Sequence, residues 1–201
     1  MHSTDIITDK TTAEQGKNAQ SNKVELTYSI CRSSFNKDYP SATKFESQQG
    51  FLGNLAQYIK EGKAFNSAIF EDNYRKKTNA KGFQILAIDI DEDLSLEEAL
   101  KTPFVRDNAG LIYTSSSHQI EKIKDSGEKI KPCDRYRIIF VLPEYIDDPA
   151  LFPFLWDVLG KQIPQADPSC KDISRQYYGF NQTKIVKLDE SLTLDEKYIQ
   201  E

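Results

Sequence analysis

The segment that most constrains this chain is Phe83-Gln84-Ile85-Leu86-Ala87-Ile88-Asp89-Ile90-Asp91, an apolar β-type run that stops on two carboxylates. Side chains two apart in a strand lie on one face, with a rise of about 3.3 Å per residue. Asp89 and Asp91 therefore project together, close enough to share divalent ions of the kind spaced about 4 Å apart in phosphoryl-transfer sites. The same residues also read as a strand that runs out into an acidic loop, since Glu92 and Asp93 follow directly.

The 201 residues suffice for one sizeable domain, or two small halves packed together, with a core that needs no staples. No apolar run approaches the roughly 20 residues of a bilayer span, and the first residues lack a basic segment followed by an apolar one. The expectation is a cytoplasmic protein with no membrane partner. Cys31, Cys133 and Cys170 are odd in number and in no CxxC or Cys/His spacing, so they read as reduced thiols. A net charge of −5 argues against a protein that coats nucleic acid by bulk electrostatics. Two local basic stretches remain, Tyr74-Arg75-Lys76-Lys77 with Lys81, and the segment from Lys122 through Lys131 to Arg135 and Arg137. Each is either part of a basic groove or a solvated loop.

Residues 1–22 are polar and offer too few apolar side chains to offset the entropy of ordering, which predicts a disordered leader ahead of a folded region over 23–201. Val24 to Ile30 alternates as a half-buried strand, followed by a loop up to about Thr43. Leu52, Leu55, Ala56 and Ile59 recur at three and four within 49–60, an amphipathic helix that Gly62 closes. Ala64 to Phe70 reads as a strand. Ser95-Leu96-Glu97-Glu98 has the form of a capping box and starts a short helix just past the aspartates. Gly110 to His118 reads as the next strand, and Tyr136 to Leu142 as another, stopped by Pro143. Asp148-Pro149 opens a helix that Gly160 stops, with Pro153 kinking or restarting it. Lys184 to Leu188 closes the series. The order is α+β or α/β, with no GxxxxGK[ST] and no GxGxxG, which sets aside P-loop and Rossmann readings.

Two histidines, His2 and His118, exclude chemistries that need two or more in the folded body, such as HExxH proteases. No GxSxG elbow is present to support a serine hydrolase. On a strand ending at His118, Ser116 and His118 would share a face, as Asp89 and Asp91 do. Farther on, Asp167-Pro168-Ser169-Cys170-Lys171-Asp172-Ile173-Ser174-Arg175 supplies another carboxylate and, eight residues later, an arginine.

An apolar strand with DxD, then SxH, then an aspartate followed by an arginine resembles the motif series of the archaeo-eukaryotic primase superfamily. More narrowly it is similar to the primase-polymerase branch of plasmid, phage and cyanobacterial replicases and CRISPR-associated enzymes. The likeness covers about residues 50–180, including Gly110-Leu111-Ile112-Tyr113-Thr114 before SxH and Arg135-Tyr136-Arg137-Ile138-Ile139-Phe140 after it. The resemblance implies an RRM-like antiparallel sheet bearing the motifs, joined to a smaller N-terminal α/β module.

It also implies a DNA-dependent primase and polymerase using two Mg²⁺ or Mn²⁺ ions, nucleoside triphosphates and a single-stranded DNA template with its primer, with a helicase as a further partner. Asp89, Asp91 and Asp167 match the metal ligands, with Asp172 competing for the third place. Ser116, His118 and Arg175 match the residues that hold the incoming triphosphate. Thr114 and Tyr178 stand where some relatives carry a lysine and a second arginine, so Arg135, Arg137 or Arg75 would supply the missing charge. Tyr74, Tyr113 and Tyr177 are candidates for sensing the nucleotide 2′-position. Two other readings use the same residues: a catalytically idle nucleic-acid-binding replication-initiator module, and a metal-dependent nuclease.

Overall fold

The computed structural model describes residues 23–34, 43–123 and 127–199. The leader expected over 1–22, and most of the loop expected before Thr43, lie outside them. In chain order the elements are β1 (Leu26–Ser34), β2 (Glu46–Gly50), α1 (Leu52–Lys60), β3 (Lys63–Asn66), β4 (Ala68–Phe70) and β5 (Ala80–Ile90). Then come α2 (Leu96–Lys101), α3 (Pro103–Asn108), β6 (Ala109–Thr114), β7 (Lys122–Ile123), β8 (Lys129–Ile130), β9 (Tyr136–Ile146), α4 (Phe152–Gln162), β10 (Tyr177–Tyr178) and β11 (Ile185–Leu188).

The fold is α+β. Five strands form an antiparallel sheet in the order β11-β6-β9-β5-β4, and four form a second in the order β10-β3-β1-β2. Hairpin β7–β8 stands apart from both. The buried side chains of the two larger sheets belong to one continuous core. β5 is covered on both faces, so it carries no polar/apolar alternation and is buried from Gly82 to Ile90. α1 turns Leu52, Leu55, Ala56 and Ile59 inward, and Gly62 at φ +78° takes the chain out of it in the left-handed conformation glycine tolerates. Among the described residues no helix is long and apolar enough to cross a membrane.

The one polar side chain inside the apolar part of β5 links the sheets. Gln84 is buried, its Oε1 accepts the Thr27 backbone N–H at 2.9 Å, and its Nε2 donates to the Glu25 carbonyl at 3.0 Å. Gln84→Leu keeps the bulk but strands that amide and carbonyl, and is expected to cost about 1–3 kcal/mol. A urea unfolding midpoint lowered at unchanged slope would show it.

Four local expectations are corrected. The strand expected over 64–70 breaks at Ser67: the Asn66 side chain accepts the Ala68 N–H at 2.7 Å, turning the chain so that β3 pairs with β1 and β4 with β5. The strand expected to reach His118 ends at Thr114. There Ser115 N–H bonds the Arg135 carbonyl, and His118 N–H closes a turn on the Ser115 carbonyl. β9 passes Pro143 and continues to Ile146, which is permitted because its pairing with β5 is interrupted between the Ile85–Val141 and Phe83–Ile146 pairs. Gly160 does not stop α4, which runs to Gln162, while Pro153 lies in its first turn where a missing N–H removes no helix bond.

The capping box forms as expected, with Ser95 Oγ accepting from Glu98 N–H and Glu98 Oε2 accepting from Ser95 N–H, both at 3.2 Å. It starts α2 and turns the chain away just beyond Asp91.

Candidate active site

Register places the first part of the site. Asp89 on β5 lies directly opposite Arg137 on β9, and Arg137 lies opposite Tyr113 on β6. Opposed residues of antiparallel strands share a face, so the three side chains form a row across the sheet. Arg137 Nε donates to Asp89 Oδ1, and its Nη1 donates to the Tyr178 carbonyl at 2.5 Å and to Tyr113 Oη at 3.3 Å. The guanidinium also lies within 6 Å of the ring centres of Tyr113 and Tyr177, at 5.7 and 5.9 Å.

These side chains are nearly dry: those of Arg137 and Asp89 are 12% and 10% exposed. Burial pushes Tyr113 up to about 12, against the opposing pull of Arg137, and raises Tyr177 as well. Both phenols stay neutral at physiological pH. Burial works against the charge of Arg137, but the Asp89 carboxylate and the hydrogen bond to Tyr113 Oη outweigh it and its pKa rises.

Asp167 arrives by a backbone contact. Its N–H donates to the Asp89 carbonyl at 2.9 Å, where β5 ends. It then caps the 3₁₀ turn Pro168–Lys171, accepting from Ser169 N–H at 2.9 Å and Ser169 Oγ at 2.5 Å. Inside that turn Cys170 is fully buried, and its Sγ accepts the Asp89 N–H at 3.4 Å. Burial, reinforced by the neighbouring Asp89 charge, pushes this thiol up to about 12. Ligand atoms of Asp89, Asp167 and Cys170 all lie within 4.8 Å of one another, a spacing that fits one metal ion.

Arg175 closes the group. Its Nη2 reaches Asp89 Oδ2 at 3.3 Å and Asp167 Oδ2 at 3.4 Å. Its backbone is held by Asn66, whose Nδ2 donates to the Arg175 carbonyl at 2.7 Å, so the turn that separates β3 from β4 also positions this arginine. A cleft of about 390 Å³ opens beside it, lined by Arg75, Arg137, Asp172, Ser174, Arg175, Gln176 and Tyr178. Arg75 Nη1 donates to the Ser174 carbonyl at 2.7 Å, and its guanidinium lies over the Phe45 ring. An acidic protein thus carries a local concentration of cationic groups, suited to an anion of several charges.

The other site candidates take different places. Asp91 lies just past the end of β5. Its carboxylate is 56% exposed, has Lys122 Nζ at 3.9 Å, and is not among the atoms that cluster around Asp89. Asp172 lines the cleft, but Oδ1 accepts from Ser174 N–H and Oγ, both at 2.9 Å. Ser116 and His118 occupy the turn after β6. His118 Nδ1 accepts the Arg135 N–H at 3.2 Å, which leaves Nε2 as the protonated nitrogen of the neutral ring.

Arg135 is 1% exposed and does not line the cleft; its Nη1 donates to the Ser117 and Ile120 carbonyls, both at 2.8 Å, and holds the turn together. No motif in the sequence points to Cys170, Asn66 or the Tyr178 carbonyl. A signal for the Asp89–Arg137 pair was present, because an arginine inside the apolar run Tyr136 to Leu142 requires a buried anion.

No family model matches the chain, and no curated protein matches it. Among solved structures it is similar to the AEP domain of the primase-polymerase (PrimPol) of cyanophage S-2L, with 9% sequence identity, 89% of each chain covered and a TM-score of 0.47.

Proposed function

We propose that the chain is a nucleotidyltransferase, a DNA-dependent primase and polymerase that makes and extends primers on a single-stranded DNA template from nucleoside triphosphates. The observation that carries this reading is the meeting of two halves of such a site. The carboxylates of Asp89 and Asp167 converge at the end of β5, and Arg175, which touches both, lines a cleft with Arg75 and Arg137. The motif series Asp-x-Asp, Ser-x-His and Asp…Arg supplies the same residue types in the same order.

The donor set fits a divalent cation: Asp89 and Asp167 offer hard oxygens within reach of one ion, and Asp91, released from Lys122, would serve a second. Bound there, Mg²⁺ or Mn²⁺ lowers the pKa of an attacking 3′-hydroxyl and neutralises charge on the pyrophosphate that leaves. The chain's own residues do the rest. Arg137, buried and tied to Tyr113 and Tyr178, holds Asp89 in one orientation. Arg75 and Arg175 line the cleft where a triphosphate would lie; the motif resemblance assigns His118 to the same phosphates, although His118 is not among the residues that line this cleft.

One observation favours a second reading. Both oxygens of Asp89 are already paired with guanidinium groups, as a catalytically idle nucleic-acid-binding module would have them. Nucleotide incorporation on single-stranded DNA, with and without an annealed primer, in Mg²⁺ and in Mn²⁺, separates the two. Unprimed products are expected. Extension of the primed template alone would make the chain a polymerase, and binding of single strands without synthesis in either metal would favour the idle module.

A further inference from the structure

We infer that Arg175 is an electrostatic latch that holds the position of a cation between Asp89 and Asp167 and leaves it when the metal binds, moving to the phosphates in the cleft; the inference rests on the proposed metal-dependent reading. One guanidinium nitrogen bridges Asp89 Oδ2 and Asp167 Oδ2 at 3.3 and 3.4 Å. A divalent ion, with oxygen ligands at about 2.1–2.5 Å, would draw on the same two carboxylates that this nitrogen now spans. The guanidinium nitrogen and the ion cannot be there together.

The two arginines on Asp89 are held very differently. Arg137 is anchored by Tyr113 Oη and the Tyr178 carbonyl with its side chain 12% exposed, so it stays. Arg175 is 37% exposed, and its contacts are long for charge-assisted hydrogen bonds, whose usual span is about 2.7–2.9 Å. Its Nε is buried without a partner, so its present position leaves one donor unsatisfied. It already borders the cleft that Arg75 and Arg137 line, and a short swing of the side chain brings it to an anion there.

Two consequences follow from this exclusion. Metal binding by the free protein must displace a cation and is weakened by that competition. A triphosphate that takes up the released guanidinium removes the competitor, so nucleotide and metal each favour the other's binding through one side chain, as linkage requires. Arg175 is therefore a residue whose loss should act in opposite directions on the two ligands.

Mn²⁺ binding to the intact chain without nucleotide, followed by the EPR signal of the free ion, tests this directly. Arg175→Gln should bind Mn²⁺ at least about threefold more tightly than wild type, whereas Arg175→Lys, which keeps a cation, should stay close to wild type. Equal or weaker binding in Arg175→Gln overturns the latch. Asp167→Asn, at the more exposed end of the pair, and Asp89→Asn report on the site itself, each with the native circular dichroism confirmed.

If both lose Mn²⁺ affinity while Arg175→Gln is unchanged, the metal site stands and the latch falls. If neither changes Mn²⁺ binding, or wild type and Arg175→Gln both fail to bind it, the metal-dependent reading falls and takes the latch with it. If Arg175→Gln alone gains affinity and the aspartate variants lose it, both hold.

Discussion

Asp89→Asn is expected to reduce nucleotide incorporation by about 10³-fold or more. Replacing a carboxylate that binds metal by a neutral amide removes several kcal/mol of charge stabilisation, and each 1.36 kcal/mol is tenfold in rate. Asparagine is the informative choice. It keeps an oxygen for Arg137 Nε, whereas alanine would leave a side chain that is 12% exposed with no acceptor at that position. Primer extension in Mn²⁺, with thermal unfolding measured on the same preparation, checks the effect. Activity near wild type in a folded Asp89→Asn protein would remove this residue from the site.

Arg137→Met is expected to destabilise the fold by about 3 kcal/mol or more, the scale on which removing one partner of a buried ion pair leaves the other uncompensated. Arg175 remains on the far oxygen of Asp89 and softens the loss, which places the expectation at the lower end of that range. The double variant Asp89→Leu, Arg137→Met should recover much of the stability, since replacing both partners by apolar groups can be nearly neutral. Urea unfolding of the two single variants and the double one closes the thermodynamic cycle. A double variant as unstable as the sum of the singles would show that the pair does not act as a unit.

Much of the local structure was legible in the residues themselves. The apolar run to Ile90, the three-and-four spacing in α1 and the capping box at Ser95 each follow from contacts within a few residues, and each is where the pattern puts it. The two misplacements have different causes. Residues 64–70 have continuous strand character, yet Asn66 bends the chain so that its two halves serve different sheets. Ser115 to His118 follow a strand, and beside the local bond from Ser117 N–H to Ser115 Oγ, buried Arg135 draws the Ser117 and Ile120 carbonyls inward and holds them as a turn. Asn66 acts on the N–H two residues ahead, a local turn inside a strand-like stretch, whereas Arg135 reaches the second turn from the residue preceding β9.

The candidate site divides in the same way. The sequence alone determined which residue types are present: Asp89 at the close of an apolar run, Asp167 eight residues before an arginine, and candidate arginines from 75 to 175. Tertiary structure decided which cation meets which carboxylate. It brought Arg137 onto Asp89, placed Arg175 between Asp89 and Asp167, put Arg135 under a turn and left Asp91 facing solvent near Lys122. The physical reason is register. A slip of one residue between β5 and β9 would carry Arg137 to the opposite face, and what prevents it is the burial of the apolar residues from Phe83 to Ile90 on β5 and from Ile138 to Leu142 on β9, a sum no short stretch of sequence contains.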